Sequence, residues 1–225
     1  MATARSGPDN PQTRPVQDRP RTVADLLRRL GNIPARRVRL DPSPGKATEQ
    51  DLLAIHDREK RLLELVEGVL VEKPMGFDES EIALLLGSFL VSFVRRHKLG
   101  IVAGPDGPLR LFSGLVRLPD VSFISWNRLP ARKRPTRPIP ALAPDLAVEV
   151  LSKGNTKAEM SRKLGEYFKA GTRLVWIVDP RRRTVCVYVS PEDSALLEES
   201  QTLDGGAVLP GFRLPLRELF PAAEG

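Results

Sequence analysis

The apolar positions of the chain alternate between two periods, and the switches between them mark its elements. Thr22 precedes a short helical run, VADLLRRLG, which Gly31 ends. Thr48 and Asp51 have capping-box spacing and open a second helix to about Lys60. Leu62 to Lys73 reads as two short strands turning near Gly68. A long helix is expected over about Asp78 to Lys98. Its apolar residues Ile82, Leu85, Leu86, Phe89, Leu90 and Phe93 recur at helical steps. Short strands follow at Ile101–Ala103, Leu109–Phe112 and Val116–Trp126, with GPDG and SG as turns between them.

Residues 127–144 are rich in Pro and Arg and read as a loop. DLAVEVLS (145–152) reads as a buried strand. Thr156 and Glu159 form another capping box for a helix to about Ala170, stopped by Gly171. RLVWIVD (173–179) and TVCVYV (184–189) are two strong strands around the turn PRRR, and a Gly-Gly turn and a helical LRELF turn complete the pattern. The order describes an α/β protein with a mixed sheet flanked by helices. We divide it into a basic arm expected to be disordered (1–20), a helical extension (21–60) and the main domain (61–225).

Composition narrows the function. No apolar run approaches the roughly 18 residues of a membrane span, and the N-terminus carries no apolar signal segment. One cysteine, Cys186, excludes an internal disulfide framework, and two distant histidines, His56 and His97, cannot make a zinc site alone. These features point to the cytoplasm. The net charge of +7 is uneven: residues 1–45 hold nine Arg against four Asp, leaving +2 for the remainder. Basicity is therefore a weak argument for nucleic acid. Aromatics are scarce, at 5%, which argues against an aromatic stacking platform for single strands.

The chemistry lies in polar exceptions to the apolar pattern. Glu149 interrupts the strand LAVEVL, where a carboxylate must be paired or bind metal. Lys163 falls on the inward stripe formed by Met160, Leu164, Tyr167 and Phe168, either snorkelling to water or serving a buried group. Asp120 follows Pro119 among good strand formers, as a bulge residue or as a ligand. Two carboxylates on neighbouring strands can hold a divalent metal through oxygen, and a nearby lysine can orient water or stabilise phosphate charge. Glu79 extends the inward face of the long helix, three residues before Ile82. It either completes such a site or favours its helix N-terminus. Glu64 and Glu67 in the first hairpin are further carboxylates, of which alternation alone cannot say which points inward.

These residues carry a family likeness. ELVEGVLVEK, then LPDVSFISW, then APDLAVEVLSKGNTKAEMSRKLGEYFKAGTRLVWIVDP resemble the restriction-endonuclease family called Uma-two, over about residues 60–190. The resemblance implies the restriction-endonuclease-like fold, a central mixed β-sheet flanked by helices, with the nuclease motif PD…(D/E)xK. Asp120 matches the Asp of PD, and Glu149 matches the acidic member. The usual lysine position holds Leu151, and Lys163 matches a lysine moved to the next helix. Glu79 stands where many relatives carry His.

The reading is a Mg²⁺- or Mn²⁺-dependent nuclease acting on DNA, with Asp120, Glu149 and Lys163 as its catalytic set and Asp120, Glu149 and Glu79 as metal ligands. Arg128, Arg132, Lys133, Arg134 and Arg137 in the Pro/Arg loop could follow a phosphate backbone. The alternative is a non-catalytic nucleic-acid-binding or regulatory protein on a nuclease scaffold. No membrane partner is expected. A homodimer is the default for this fold, with VWIVD and VCVYV as the candidate edge.

Overall fold

The computed structural model describes residues 20–74 and 76–220. The basic arm assigned to 1–20 lies almost entirely outside them. In chain order the elements are α1 (Val23–Arg29), α2 (Glu49–Glu59), β1 (Leu63–Val66), β2 (Val69–Glu72), α3 (Phe77–Arg96), β3 (Gly100–Ala103), β4 (Leu109–Phe112), β5 (Leu115–Arg117), β6 (Val121–Ser125), β7 (Leu146–Val150), α4 (Lys157–Lys169), β8 (Leu174–Asp179), β9 (Thr184–Tyr188), β10 (Ser194–Glu198), β11 (Thr202–Asp204) and β12 (Arg213–Pro215).

The main sheet has six strands in the order β10-β9-β8-β7-β6-β3. Its one parallel pair, β7 with β8, is joined through α4 as a crossover helix; its other pairs are antiparallel. This is the mixed sheet flanked by helices that the sequence pattern describes. A smaller antiparallel sheet, β2-β1-β5-β4, stands beside it, and β11 and β12 form a separate ribbon.

Alternation along β7 sorts its side chains between two layers. Leu146, Val148 and Val150 join Ile82, Leu86 and Leu90 of α3 in the largest core. Ala147 faces the other way, against Leu164 and Tyr167 of α4. Glu149 shares the parity of Ala147, so strand geometry alone turns it toward α4. The segment 21–60 is packed onto the small sheet: Leu30 and Ile33 bury Val66, Val69 and Val71, while Leu52 and Ile55 bury Leu63, Leu65 and Leu70.

Three elements differ from the sequence pattern. The expected strand 116–126 is divided at Leu118–Pro119–Asp120 into β5 and β6, which belong to different sheets. Proline has no N–H for the ladder, so the chain changes sheets there. At α4, Thr156 accepts the Glu159 amide at 3.0 Å, but Glu159 does not reciprocate. Its carboxylate goes to Arg37 instead, at 2.7 Å. Finally, VWIVD and VCVYV are interior strands, and the edges of the main sheet are β10 and β3. β10 is a largely exposed edge strand, and its sequence SALLE carries no alternation of apolar and polar positions to mark it. A dimer through the expected strands would find no free edge there.

Candidate functional site

The division at Pro119 puts Asp120 immediately before β6, beside the C-terminal end of β7. Its amide donates to the Val148 carbonyl at 2.9 Å. Its Oδ2 accepts the Val150 amide at 2.6 Å. The carboxylate thus binds the backbone one residue beyond Glu149, which holds the two acidic residues side by side. Both are buried, at 6% and 4% exposure.

On the α4 side, Lys163 and Tyr167 lie one helical turn apart on one face. Tyr167 donates its hydroxyl to Glu149 Oε1 at 2.6 Å. Lys163 Nζ lies 3.0 Å from Glu149 Oε2 and 3.0 Å from Glu64 Oε1. At 1% exposure, Lys163 does not snorkel. Its ammonium is spent inside the protein, joining β1 to β7.

Glu64 is fully buried and carries the network onward. Its Oε2 pairs with Arg117 at 2.7 Å, and its Oε1 accepts the Leu118 amide at 3.2 Å. Arg117 also binds Glu166 at 2.6 Å. Of the two hairpin glutamates, Glu64 therefore points inward. Glu67 pairs with Arg29 and Arg162 and lies nearer the surface. Alternation on β1 could not make this choice, because Glu67 lies beyond the strand, in the turn before β2 and at a φ of 52°.

A second lysine enters that the sequence pattern did not mark. Lys73, just after β2, pairs its ammonium with Asp120 Oδ1 at 2.8 Å and also reaches the Leu118 carbonyl. Lys73 at the same time lines a cleft of about 590 Å³ with Arg36, Phe77, Glu79, Lys153 and Arg181. The only sequence trace of this role is its place at the end of the hairpin.

Burial and charge oppose each other across the cluster. Burial would push Glu64 up, but Lys163, Arg117 and Lys73 outweigh it and hold the carboxyl well below its usual range. For Glu149 burial prevails. The charges of Asp120 and Glu64 add to it, Lys163 and Lys73 oppose it, and its pKa stands above the ordinary value. Burial alone would lower Lys163, yet Glu149 and Glu64 keep it charged. Burial, then the charge of Glu149, pushes the Tyr167 phenol well up, so it remains a donor.

Glu79 stands apart from this cluster. Its carboxylate folds back on the start of α3, where a Cβ on Gly76 would come within 2.2 Å of its Oε2. Among the described residues, no group of three or more His, Cys, Asp or Glu side chains converges to hold a metal ion. The geometry therefore unites Asp120, Glu149 and Lys163, and leaves Glu79 on the rim of the cleft.

The Pro/Arg loop follows β6 at the end away from Asp120. A strand of 5 residues spans about 17 Å between them. Arg128 is committed there, to Asp145 at 3.0 Å and to the Gly171 carbonyl at 2.8 Å. Arg132 reaches Asn127 at 3.3 Å. Lys133, Arg134 and Arg137 are exposed.

Asp120 and Glu149 offer carboxylate oxygen, the donor chemistry that Mg²⁺ and Mn²⁺ select. Each carboxylate accepts two contacts, which leaves about half of its four or so lone-pair positions free. Mg²⁺ commonly uses one or two carboxylates and completes its shell with water and phosphate oxygens. In donor chemistry the pair suits such an ion, and among the described residues no third ligand converges on it.

Comparison with known proteins agrees with this architecture. A solved structure of a protein from Anabaena variabilis, described as a "putative nuclease", has the same fold. Its TM-score is 0.62 at 24% identity, covering 70% of this chain and 89% of that one. No curated protein matches. Among the described residues, no helix is long and apolar enough to cross a membrane. The family model described as "Putative restriction endonuclease" matches residues 49–217, spanning both sheets and every residue of the buried cluster, and the chain belongs to that family, Uma2.

Proposed function

We propose that the protein is a metal-dependent nuclease that hydrolyses phosphodiester bonds in DNA. The observation that supports this most is the bond from the Val150 amide to Asp120 Oδ2 at 2.6 Å. It holds two buried carboxylates together beside a cleft whose wall includes Lys73. Asp120 and Glu149 would hold the ion, Mg²⁺ or Mn²⁺. When bound, such an ion lowers the pKa of its water and offsets charge on the phosphate. Tyr167 and Lys163 keep Glu149 in one orientation by occupying one oxygen each. Lys163 reaches the reaction through Glu149 and is a positioning residue in the free protein. Glu64 and Arg117 tie that arrangement to the small sheet. Lys73, its side chain buried, pairs with Asp120 and holds that carboxylate against the end of β2.

One observation favours the rival reading of a non-catalytic nucleic-acid-binding scaffold. Each of the two carboxylates already carries a lysine, and among the described residues no third carboxylate converges with them to hold an ion. The two readings separate when purified protein is incubated with supercoiled plasmid and with a single-stranded oligonucleotide, in Mg²⁺, Mn²⁺ or chelator. Metal-dependent cutting that Glu149→Gln abolishes is expected. Absence of both cutting and Mn²⁺ binding would overturn the nuclease reading.

A further inference from the structure

Four residues from separate parts of the chain meet at the mouth of the cleft beside Asp120. Arg36 comes from the 3-10 turn between α1 and α2, Phe77 from the first position of α3, Lys153 from the turn after β7, and Arg181 from the β8–β9 hairpin. Phe77 is 84% exposed, which is the greatest exposure of any large apolar side chain described. An aromatic ring open to water at the mouth of a polar cleft gains nothing for the fold. Arg36, Lys153 and Arg181 are exposed and make no side-chain ion pair among the described residues. Most arginines near the buried cluster are committed: Arg37 to Glu159, Arg39 to Glu59, Arg61 to Glu72, and Arg117 to Glu64. Of the acidic rim residues, Glu72 is satisfied by Arg61 and Glu79 is folded against Gly76, which leaves Asp78 open.

From this juxtaposition we infer that the cleft takes a single strand of nucleic acid, its phosphates on Arg36, Lys153 and Arg181 and one base stacked on Phe77. The inference rests on the nuclease reading and deepens it, by giving the strand state of the substrate and the surface that holds it. Charge and ring are the two things such a site requires, since phosphates supply the attraction and every base has a stacking face. The cleft volume of about 590 Å³ suits one nucleotide in contact with the wall. The scarcity of aromatics in the sequence argues against a stacking platform for single strands, but the structure leaves one ring largely exposed at this cleft, and a single stack needs no more. The site is also at the opposite end of β6 from the Pro/Arg loop, so the two basic surfaces are separable by experiment.

The test measures anisotropy of a labelled 12-mer, single-stranded or duplex, with the whole protein in chelator so that no cutting occurs. Single strand should bind more tightly than duplex. Phe77→Ala should weaken it by about five- to hundredfold, the range for loss of one stacked base. Phe77→Trp should retain binding, and its emission, as a difference from the parent protein, should be quenched when the strand is added. Arg36→Glu, Lys153→Glu and Arg181→Glu should each weaken binding and reduce its salt dependence, by about 0.7 in slope for each phosphate no longer neutralised. Equal binding by Phe77→Ala, together with unchanged emission from Phe77→Trp, would overturn the inference. So would loss of binding confined to a Lys133/Arg134/Arg137 charge reversal. If the parent protein still cuts with metal in those cases, the nuclease reading stands without this surface. If it neither binds nor cuts, both fall.

Discussion

Replacing Lys163 with Met isolates the electrostatics of the buried cluster. Its ammonium lies 3.0 Å from each of two carboxylates. At an effective dielectric of 20, each such pair attracts by about 5.5 kcal/mol. Desolvation of the ammonium offsets much of that gross gain, and breaking a buried pair generally costs about 3–5 kcal/mol. The Met side chain keeps the apolar stem and removes only the charge, so the loss reports the two carboxylates left behind. At about 2–4 °C per kcal/mol for a chain of this size, the melting temperature should fall by about 6–20 °C near pH 8.

The pH dependence of that loss identifies its origin. In the parent protein, Glu64 is held below its ordinary pKa, so its contribution is present at neutral pH and fades on acidification. Without Lys163, burial raises Glu149 further and lifts Glu64. Groups raised in the folded state favour folding at low pH and lose that effect as the pH rises through their folded pKa. The variant should therefore approach the parent near pH 4–5 and diverge from it toward pH 8. Urea unfolding at four pH values measures this directly. A deficit under about 1 kcal/mol at pH 8, or one independent of pH, would refute the reasoning. Adding Glu149→Gln to Lys163→Met should recover part of the loss, and the cycle gives the coupling energy.

Tyr167→Phe removes a single hydroxyl 2.6 Å from Glu149 and should cost about 1.5–3 kcal/mol in urea unfolding, with the fold retained by circular dichroism. Arg37→Met strips Glu159 of two bonds at 2.7 and 2.9 Å in a buried setting and should cost about 3–5 kcal/mol at pH 7. Burial opposes it, but Arg37 holds Glu159 below its usual range, so the parent's stability should fall with acid more steeply than the variant's. Lys73→Met removes the cation on Asp120, and Mn²⁺ should bind at least about tenfold tighter by calorimetry; unchanged affinity would mean that the ion does not use Asp120. Glu149 is raised above its ordinary value mainly by burial, so a proton competes for it, and Mn²⁺ affinity should fall as the pH drops from 7 to 5.

The elements were legible where local physics decides them. Thr22 and Thr48 cap α1 and α2, each with an aspartate three positions on that returns the bond. Leu86 and Leu90 repeat at helical spacing and are fully buried in α3. Strand alternation made Glu149 an exception, and helical spacing made Lys163 one. These are properties of a few consecutive residues, so the chain displays them before it folds.

Partners distant in sequence were another matter. Lys163 and Glu149 are both visible as exceptions, but Glu64 reaches Lys163 only because β1 comes beside α4. Lys73 reads as the polar end of a hairpin, and only the division at Pro119 brings Asp120 within 2.8 Å of it. Glu79 has the right chemistry and the right face of α3, yet its carboxylate turns back on Gly76. The basic loop has the charge for nucleic acid, but a full strand separates it from Asp120. By itself, then, the sequence determined the helices and most of the strands, the side of β7 on which Glu149 lies, and the family likeness. Only the tertiary structure decided which carboxylates share a cation and which basic residues face the cleft. Side-chain period is fixed by backbone geometry within one element, whereas ion pairs across elements depend on how two sheets are brought together.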